Sequence, residues 1–381
     1  MPEKKPARKK RALAGVLIPL LIGAAIGFFV PFLLMPMVGD NDALYFIYLT
    51  VMIAGLLLGG CAQIVIHEAG HLIFGLHSGY QFLSFNVFGL IWTRGADGKL
   101  HMKRMKIAGA GGQCLMAPPD WNDGDFPFTL YNLGGVLANL LASAVFALVG
   151  WLIPVDAVRI FLLSTAFVGV AFAVMNGVPF TTPAIQNDGK NLVCIRRSLH
   201  ARRAFWVQMV LAAETTRGTR LRSMPEEWFV PFPEEEMDNP IVCAIAVQNT
   251  SRLMDKLDFP AALAAIRPLL ARGRGVVGLY RMVMTCDGAV CEMITGQPGQ
   301  LVADMDKPEF KPMLQAMKTN PSILRTRYAL ALLRDRDADK AAAILAEFEK
   351  AAALHPYPQD VESEREILLA IQNALLTGGN A

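Results

Sequence analysis

Residues 61–79 read Cys-Ala-Gln-Ile-Val-Ile-His-Glu-Ala-Gly-His-Leu-Ile-Phe-Gly-Leu-His-Ser-Gly, with His67-Glu68-Ala69-Gly70-His71 at their centre. On a helix, His67 and His71 stand four residues apart and share one face. Two imidazoles so placed can hold one Zn²⁺, and Glu68 can reach a water on that ion as a general base. From Ala43 to Ile66 there is no charged residue, so the motif sits on the tail of an apolar segment long enough to span a bilayer. Ionisable groups at such depth are costly and are functional by default. The plainer alternative is a polar helix end emerging into water.

Working outward, the whole chain is apolar. Its 381 residues are 53% hydrophobic and 18% charged, with a mean hydropathy of +0.36, which excludes an ordinary soluble protein and points to a polytopic membrane protein with a soluble part. Six cysteines, at 61, 114, 194, 243, 286 and 291, are scattered without a disulfide framework. Cys286 and Cys291 lack the second pair a zinc knuckle needs. Reduced, buried thiols suit a cytoplasmic face. Residues 2–11 form a basic tail that abuts an apolar run. It could be a nucleic-acid arm, but its position fits a cytoplasmic flank, and no nucleic-acid partner is expected. The apolar run is too long for a signal peptide and reads as a retained anchor.

The expected fold is mainly α: a polytopic membrane helical bundle of about four spans, with a small membrane-associated β-hairpin and a C-terminal soluble α-helical domain. The basic cytoplasmic tail covers 1–12 and the membrane domain 13–200. Spans are placed at about 13–38, 44–76, 129–153 and 160–180, with the hairpin region at 80–118. A helix and linker occupy 201–240, and a cytoplasmic helical domain occupies 241–381. Within that domain helices are expected at about 241–257, 259–272, 276–294, 309–318, 322–334, 338–354 and 360–376. Phe348, Ala351 and Pro356 fall at the spacing of a tetratricopeptide second helix, with Tyr328–Leu333 as its partner. Only one such unit is legible, and a generic helical bundle explains it equally. Either form offers a surface for a cytoplasmic protein partner.

Alternate segments carry the basic residues. Arg94, Lys99, Lys103, Arg104 and Lys106 lie between the second and third spans. Lys190, Arg196, Arg197, Arg202 and Arg203 follow the fourth. This positive-inside pattern puts both termini in the cytoplasm, and a bacterial plasma membrane suits such a chain.

A catalytic zinc needs three protein ligands and one open position. After the fourth span, Gly177 and Pro179 break the helix, and Asp188-Gly189 follows. Asp188 is the candidate third ligand, an acid just past a broken apolar segment on the same side as His67 and His71. The alternative is a turn Asp before Gly. Asn139, a polar group inside the third span, needs a partner there and could equally make an interhelical hydrogen bond without chemistry.

Together these features resemble the site-2 protease family of intramembrane zinc metalloproteases, over about residues 44–200. That family carries HExxH on one transmembrane helix, a Gly-x-x-x-Asn-like element on the next, and Asn-x-x-Pro…Asp-Gly on a third. Here His67–His71, Gly135–Asn139, and Asn176, Pro179 and Asp188-Gly189 occupy those places. The residue before the aspartate, usually Leu, is Asn187, and the interval from Asn176 is a few residues longer than in the commonest form. No stretch suggests the PDZ domain that many members carry. The resemblance implies a metalloendopeptidase with His67, His71 and Asp188 on Zn²⁺ and Glu68 as the catalytic base. It also implies that Asn139 and Asn176 orient substrate or stabilise the oxyanion. The substrate would be a membrane protein or membrane-inserted peptide. Two other classes compete. A non-proteolytic membrane scaffold would recruit a partner through the C-terminal helices and make Glu68 dispensable. A metal transporter would use the same ligands but needs release and a through-path.

Overall fold

A computed structural model describes residues 34–39, 41–94, 98–104, 111–122, 126–180, 186–297 and 299–378. The expected first span, 13–38, lies outside these residues up to position 33. The described chain is mainly helical and carries a small antiparallel sheet. Three of its helices are long and apolar enough to cross a membrane: α1 (Asp42–His77), α2 (Phe128–Leu152) and α3 (Asp156–Gly177). At 36 residues, α1 is about 54 Å long, well beyond the roughly 30 Å of a hydrocarbon core.

The chain divides into two compact units, Met1–His67 with Val136–Met175, and Glu68–Gly135 with Asn176–Ala381. In the first, large apolar side chains point outward. Phe46, Leu57, Leu141, Val145 and Leu148 are each more than half exposed, which water penalises and lipid does not. Its interior is closed by small residues. A Cβ on Gly55 would stand 2.8 Å from the Phe161 carbonyl oxygen, and one on Gly59 would stand 2.9 Å from Thr165 Cα. Only glycine lets these helix backbones approach so closely.

The second unit opens with a four-stranded antiparallel sheet in the order β3-β2-β1-β4, formed by β1 (Gln81–Val87), β2 (Leu90–Arg94), β3 (Leu100–Arg104) and β4 (Gly112–Ala117). The sheet is larger than the expected hairpin. Its first turn is the two-residue loop Phe88-Gly89 between paired Val87 and Leu90, with φ of 53° and 78°. Two positive φ values in a two-residue loop are those of a type I′ turn, whose twist matches the strands. β4, from the glycine-rich stretch, returns to pair with β1.

Helices follow: α4 (Asp188–Ile195), α5 (Leu199–Thr216), α6 (Pro240–Asp255), α7 (Phe259–Ala271), α8 (Gly278–Ile294), α9 (Gln300–Asp304), α10 (Phe310–Ala316), α11 (Pro321–Ala329), α12 (Ala338–Leu354) and α13 (Pro358–Gly378). Their starts are written in the sequence. Ser198, Asn239, Asp258, Asn320 and Asp337 each accept a backbone N–H from the first turn, which satisfies donors that a helix end leaves over. The acidic stretch before α6 is packed, with Met224, Phe229 and Met237 buried in the same core as the helices. α11 packs on α12, burying Tyr328, Ile344 and Phe348.

Candidate metal centre

α1 carries His67, Glu68 and His71 unbroken, and all three are buried. His67 Nδ1 lies 2.7 Å from Asn139 Oδ1, and Asn139 Nδ2 lies 2.9 Å from the Gln63 carbonyl oxygen and 2.7 Å from Gln63 Oε1. Gln63 Nε2 in turn donates to the Thr165 carbonyl oxygen at 3.3 Å. The direction of this series is fixed from its backbone end. A carbonyl can only accept, so Gln63 presents NH₂ to Thr165 and oxygen to Asn139. Asn139 must then donate to Gln63 and present oxygen to His67. His67 therefore carries a proton on Nδ1, which in the neutral imidazole leaves the lone pair on Nε2.

His71 reaches the same tautomer by another route. Its Nδ1 lies 2.7 Å from the Tyr131 carbonyl oxygen, again an acceptor only. Tyr131 is itself pinned. Its hydroxyl donates to the Cys114 carbonyl of β4 at 3.1 Å, and its ring stacks on Tyr80 with centroids 4.7 Å apart. An imidazole whose Nδ1–H is held by a carbonyl or amide oxygen is the usual form of a metal-ligating histidine, with orientation and basicity set by that second contact.

Asp188 is placed by the two residues around it. Asn187 caps α4, its Oδ1 accepting from Lys190 N at 2.9 Å and from Phe180 N at 3.2 Å, while its Nδ2 donates to the Val178 carbonyl at 2.6 Å. One side chain thus ties the chain leaving α3 to the start of α4, a task an apolar side chain cannot perform. Gly189 is needed for space, because a Cβ there would run into the Gly177 carbonyl oxygen. Asp188 then sits in the first turn of α4, where the helix dipole favours a carboxylate, with Oδ2 3.4 Å from His71 Nε2.

One donor atom from each of His67, His71 and Asp188 lies within 4.8 Å of the others. Two ligands of a tetrahedral zinc, bound at about 2.0–2.1 Å, stand about 3.3–3.4 Å apart. The His71–Asp188 separation matches that spacing, and the donor set of two imidazoles and a carboxylate is one that zinc accepts. Glu68 lies against β4. A Cβ on Gly112 would stand 2.6 Å from Glu68 Cγ and 2.9 Å from Oε1, so glycine leaves the room that the carboxylate occupies. Burial, reinforced by the Glu68 charge, pushes the Cys114 thiol up to about 12.

The expected site residues therefore fall as follows. His67, His71 and Asp188 converge, Glu68 is beside them on the helix, and Asn139 is fully buried with its amide engaged by His67 and Gln63. Asn176 is half-buried at the end of α3, next to the Gly177 carbonyl that Gly189 abuts. Neither Gln63 nor Tyr131 stands out in the sequence, and Asn187 stands out there only as a departure from the motif. Gln63 left a signal, since it precedes His67 by four residues and shares its face. The contribution of Tyr131 is a backbone oxygen, which leaves none. No protein-family model matches the chain, and no curated protein or solved structure is detectably similar to it.

Proposed function

We propose that this chain is a membrane-embedded zinc metalloendopeptidase of the site-2 protease type, hydrolysing a peptide bond in or near the transmembrane segment of a membrane protein or membrane-inserted peptide. The observation that carries this reading is the convergence of His67, His71 and Asp188, with Glu68 on the helix that supplies both histidines. Zinc, when bound, supplies a Lewis acid that lowers the pKa of water and polarises the scissile carbonyl. Glu68 accepts the proton of the attacking water and returns it to the leaving amine nitrogen. Asn139 and the Tyr131 carbonyl hold the two imidazoles in the ligating tautomer. Asn176 is the side chain left to orient substrate or stabilise the oxyanion. A helical substrate must open locally before its carbonyl is reachable. The exposed edge strand β3 offers backbone groups with which an opened segment can pair. The basic residues after α1 and α3 favour a cytoplasmic placement of the site.

The test is metal content. Purified in detergent without chelators, the wild type is expected to hold about one zinc per chain, and His67→Ala and Asp188→Ala to lose it. Loss in His67→Ala alone places the third ligand elsewhere. A wild type without zinc removes the protease reading in favour of a scaffold. Glu68→Gln is then expected to keep the metal and abolish cleavage of a membrane peptide, and cleavage at the wild-type rate would rule the mechanism out.

A further inference from the structure

Four arginines gather where one of the long apolar helices begins. The first turn of α2, from Phe128, belongs to the same unit as α4 and α5, and the corner between those two helices carries Arg196, Arg197, Arg202 and Arg203. Arg196 Nη2 donates to Thr129 Oγ1 at 3.3 Å. The Arg202 guanidinium lies 5.7 Å from the centre of the Phe128 ring. Arg203 lies over two indoles, 5.2 Å from Trp121 and 4.6 Å from Trp206. Trp206 is fixed in turn, its indole N–H donating to the Pro119 carbonyl at 2.8 Å. Stacking of this kind engages the face of a guanidinium and leaves its in-plane N–H donors for other acceptors.

Among the described residues, no carboxylate pairs with any of these four arginines. Glu236, on the same corner, is taken by His200 at 3.5 Å and Ser198 at 3.0 Å, and Glu227 acts on Arg203 only from beyond pairing distance. By contrast, every arginine from 217 to 274 has a carboxylate partner. Gathered like charges repel one another, and here the described chain supplies no counter-ion. Val193 and Leu199 flank Arg196 and Arg197 in sequence and are 40% and 57% exposed, so the corner shows apolar surface beside its charge.

We propose that this corner binds the headgroups of anionic phospholipids in the bilayer that α2 enters. The arginines donate to phosphate oxygens, whose geometry the guanidinium fork matches, and Val193 and Leu199 meet the upper part of the acyl chains. Position favours a lipid over a soluble anion or an acidic protein. The cluster stands on the first turn of a helix long and apolar enough to cross a membrane. Trp121 and Trp206 belong to it, and indoles collect at headgroup level. Basic clusters beside membrane helices recognise anionic lipid. The inference is independent of what the metal centre does.

The full chain, purified in a neutral detergent, is titrated with phosphatidylglycerol and with phosphatidylcholine, and bound lipid is counted by native mass spectrometry. Phosphatidylglycerol is expected to bind about tenfold more tightly or better, a comparison that needs no variant. Arg196→Gln with Arg197→Gln is expected to weaken it about 30-fold, at roughly fivefold for each charge near the membrane surface. Both side chains are exposed, so the thermal transition should stay cooperative. Arg196→Lys with Arg197→Lys keeps the charge and should keep most of the binding. Lys311→Gln with Lys318→Gln removes the same charge from exposed positions elsewhere in the unit and should leave binding unchanged. Equal binding of the two lipids, undiminished binding in the Arg196/Arg197 glutamine variant, or an equal loss in the Lys311/Lys318 variant overturns the proposal. So does displacement of the lipid by an equal concentration of glycerol 3-phosphate or of hexaglutamate, which would assign a free phosphate or an acidic protein segment instead.

Discussion

In the first unit a backbone carbonyl, two side-chain amides and an imidazole are buried in series, from Thr165 through Gln63 and Asn139 to His67, with no carboxylate or guanidinium among them. In the second unit Arg325 is buried, and Arg220 half-buried, among Asp287, Glu364, Asp255 and Glu366. The difference follows from the solvent each set of helices suits. A formal charge in hydrocarbon costs several kcal/mol at least, whereas a neutral amide whose donors and acceptors are all met costs little. In the charge-rich helices of the second unit, ion pairs are tolerated when their hydrogen bonds are made. The neutral series fixes a tautomer and an orientation. The ionic cluster leaves a buried guanidinium donor unmet and a carboxyl that titrates near neutrality, and so can answer to protons.

The largest effect is expected where the ionic cluster is broken. Asp287→Ala leaves Arg325 buried with its main partner gone, and loss of one member of a buried pair costs about 3–5 kcal/mol. Thermal unfolding of the full chain, followed by the fluorescence of Trp206 and Trp228 in that core, should show a drop of that size. Asp287→Ala with Arg325→Met should recover most of it. A loss near zero in the single variant would mean that water reaches the pair and that the contrast between the units is smaller than drawn.

Breaking the neutral series should cost less in folding and more in metal. Asn139→Leu removes the acceptor of His67 Nδ1–H, and loss of such a second contact lowers metal affinity by about 10–100-fold. Competition against a zinc chelator measures it. Unchanged affinity would detach Asn139 from the site. Gln63→Leu should act in the same direction but by less than about tenfold. Asn139 Nδ2 keeps the main-chain oxygen of residue 63 as an acceptor at 2.9 Å and loses only the side-chain oxygen.

What could be read ahead of the structure was what is local in sequence. The His67–His71 face follows from helical spacing alone, and the starts of α6, α7 and α11 follow from Asn239-Pro240, Asp258 and Asn320-Pro321. Asp188 was legible as an acid after a broken span. The contacts that fix it were not, because Asn187 reaches back to Val178 and Phe180 across a loop whose path the sequence does not give. The turn at Phe88-Gly89 lacks the Asn-Gly or Asp-Gly that usually announces a type I′ loop, so the sheet was read as one hairpin instead of four strands. The ionic cluster joins Asp287, Arg325 and Glu364 from three helices. Arg325 and Glu364 sit in stretches where a charged residue ordinarily marks the solvated face.

The smallest effect separates the two units by pH. Glu364 titrates at about 7 in the fold because burial, only partly offset by Arg325, disfavours its charge. The unfolded chain titrates near the ordinary glutamate value of about 4.3. A folded value above the unfolded one gives stability that is complete below the unfolded value and is lost as pH rises through the folded one. Between about pH 6.5 and 8 the Glu364 contribution should therefore fall by something under about 1 kcal/mol, with Asp360 already spent at lower pH. The expected observation is a melting temperature of the helical domain that declines modestly over this range. Glu364→Gln should flatten the decline. If Glu364→Gln declines as steeply as the wild type, the titrating group lies elsewhere, and the neutral and ionic units would differ in composition without differing in what they sense.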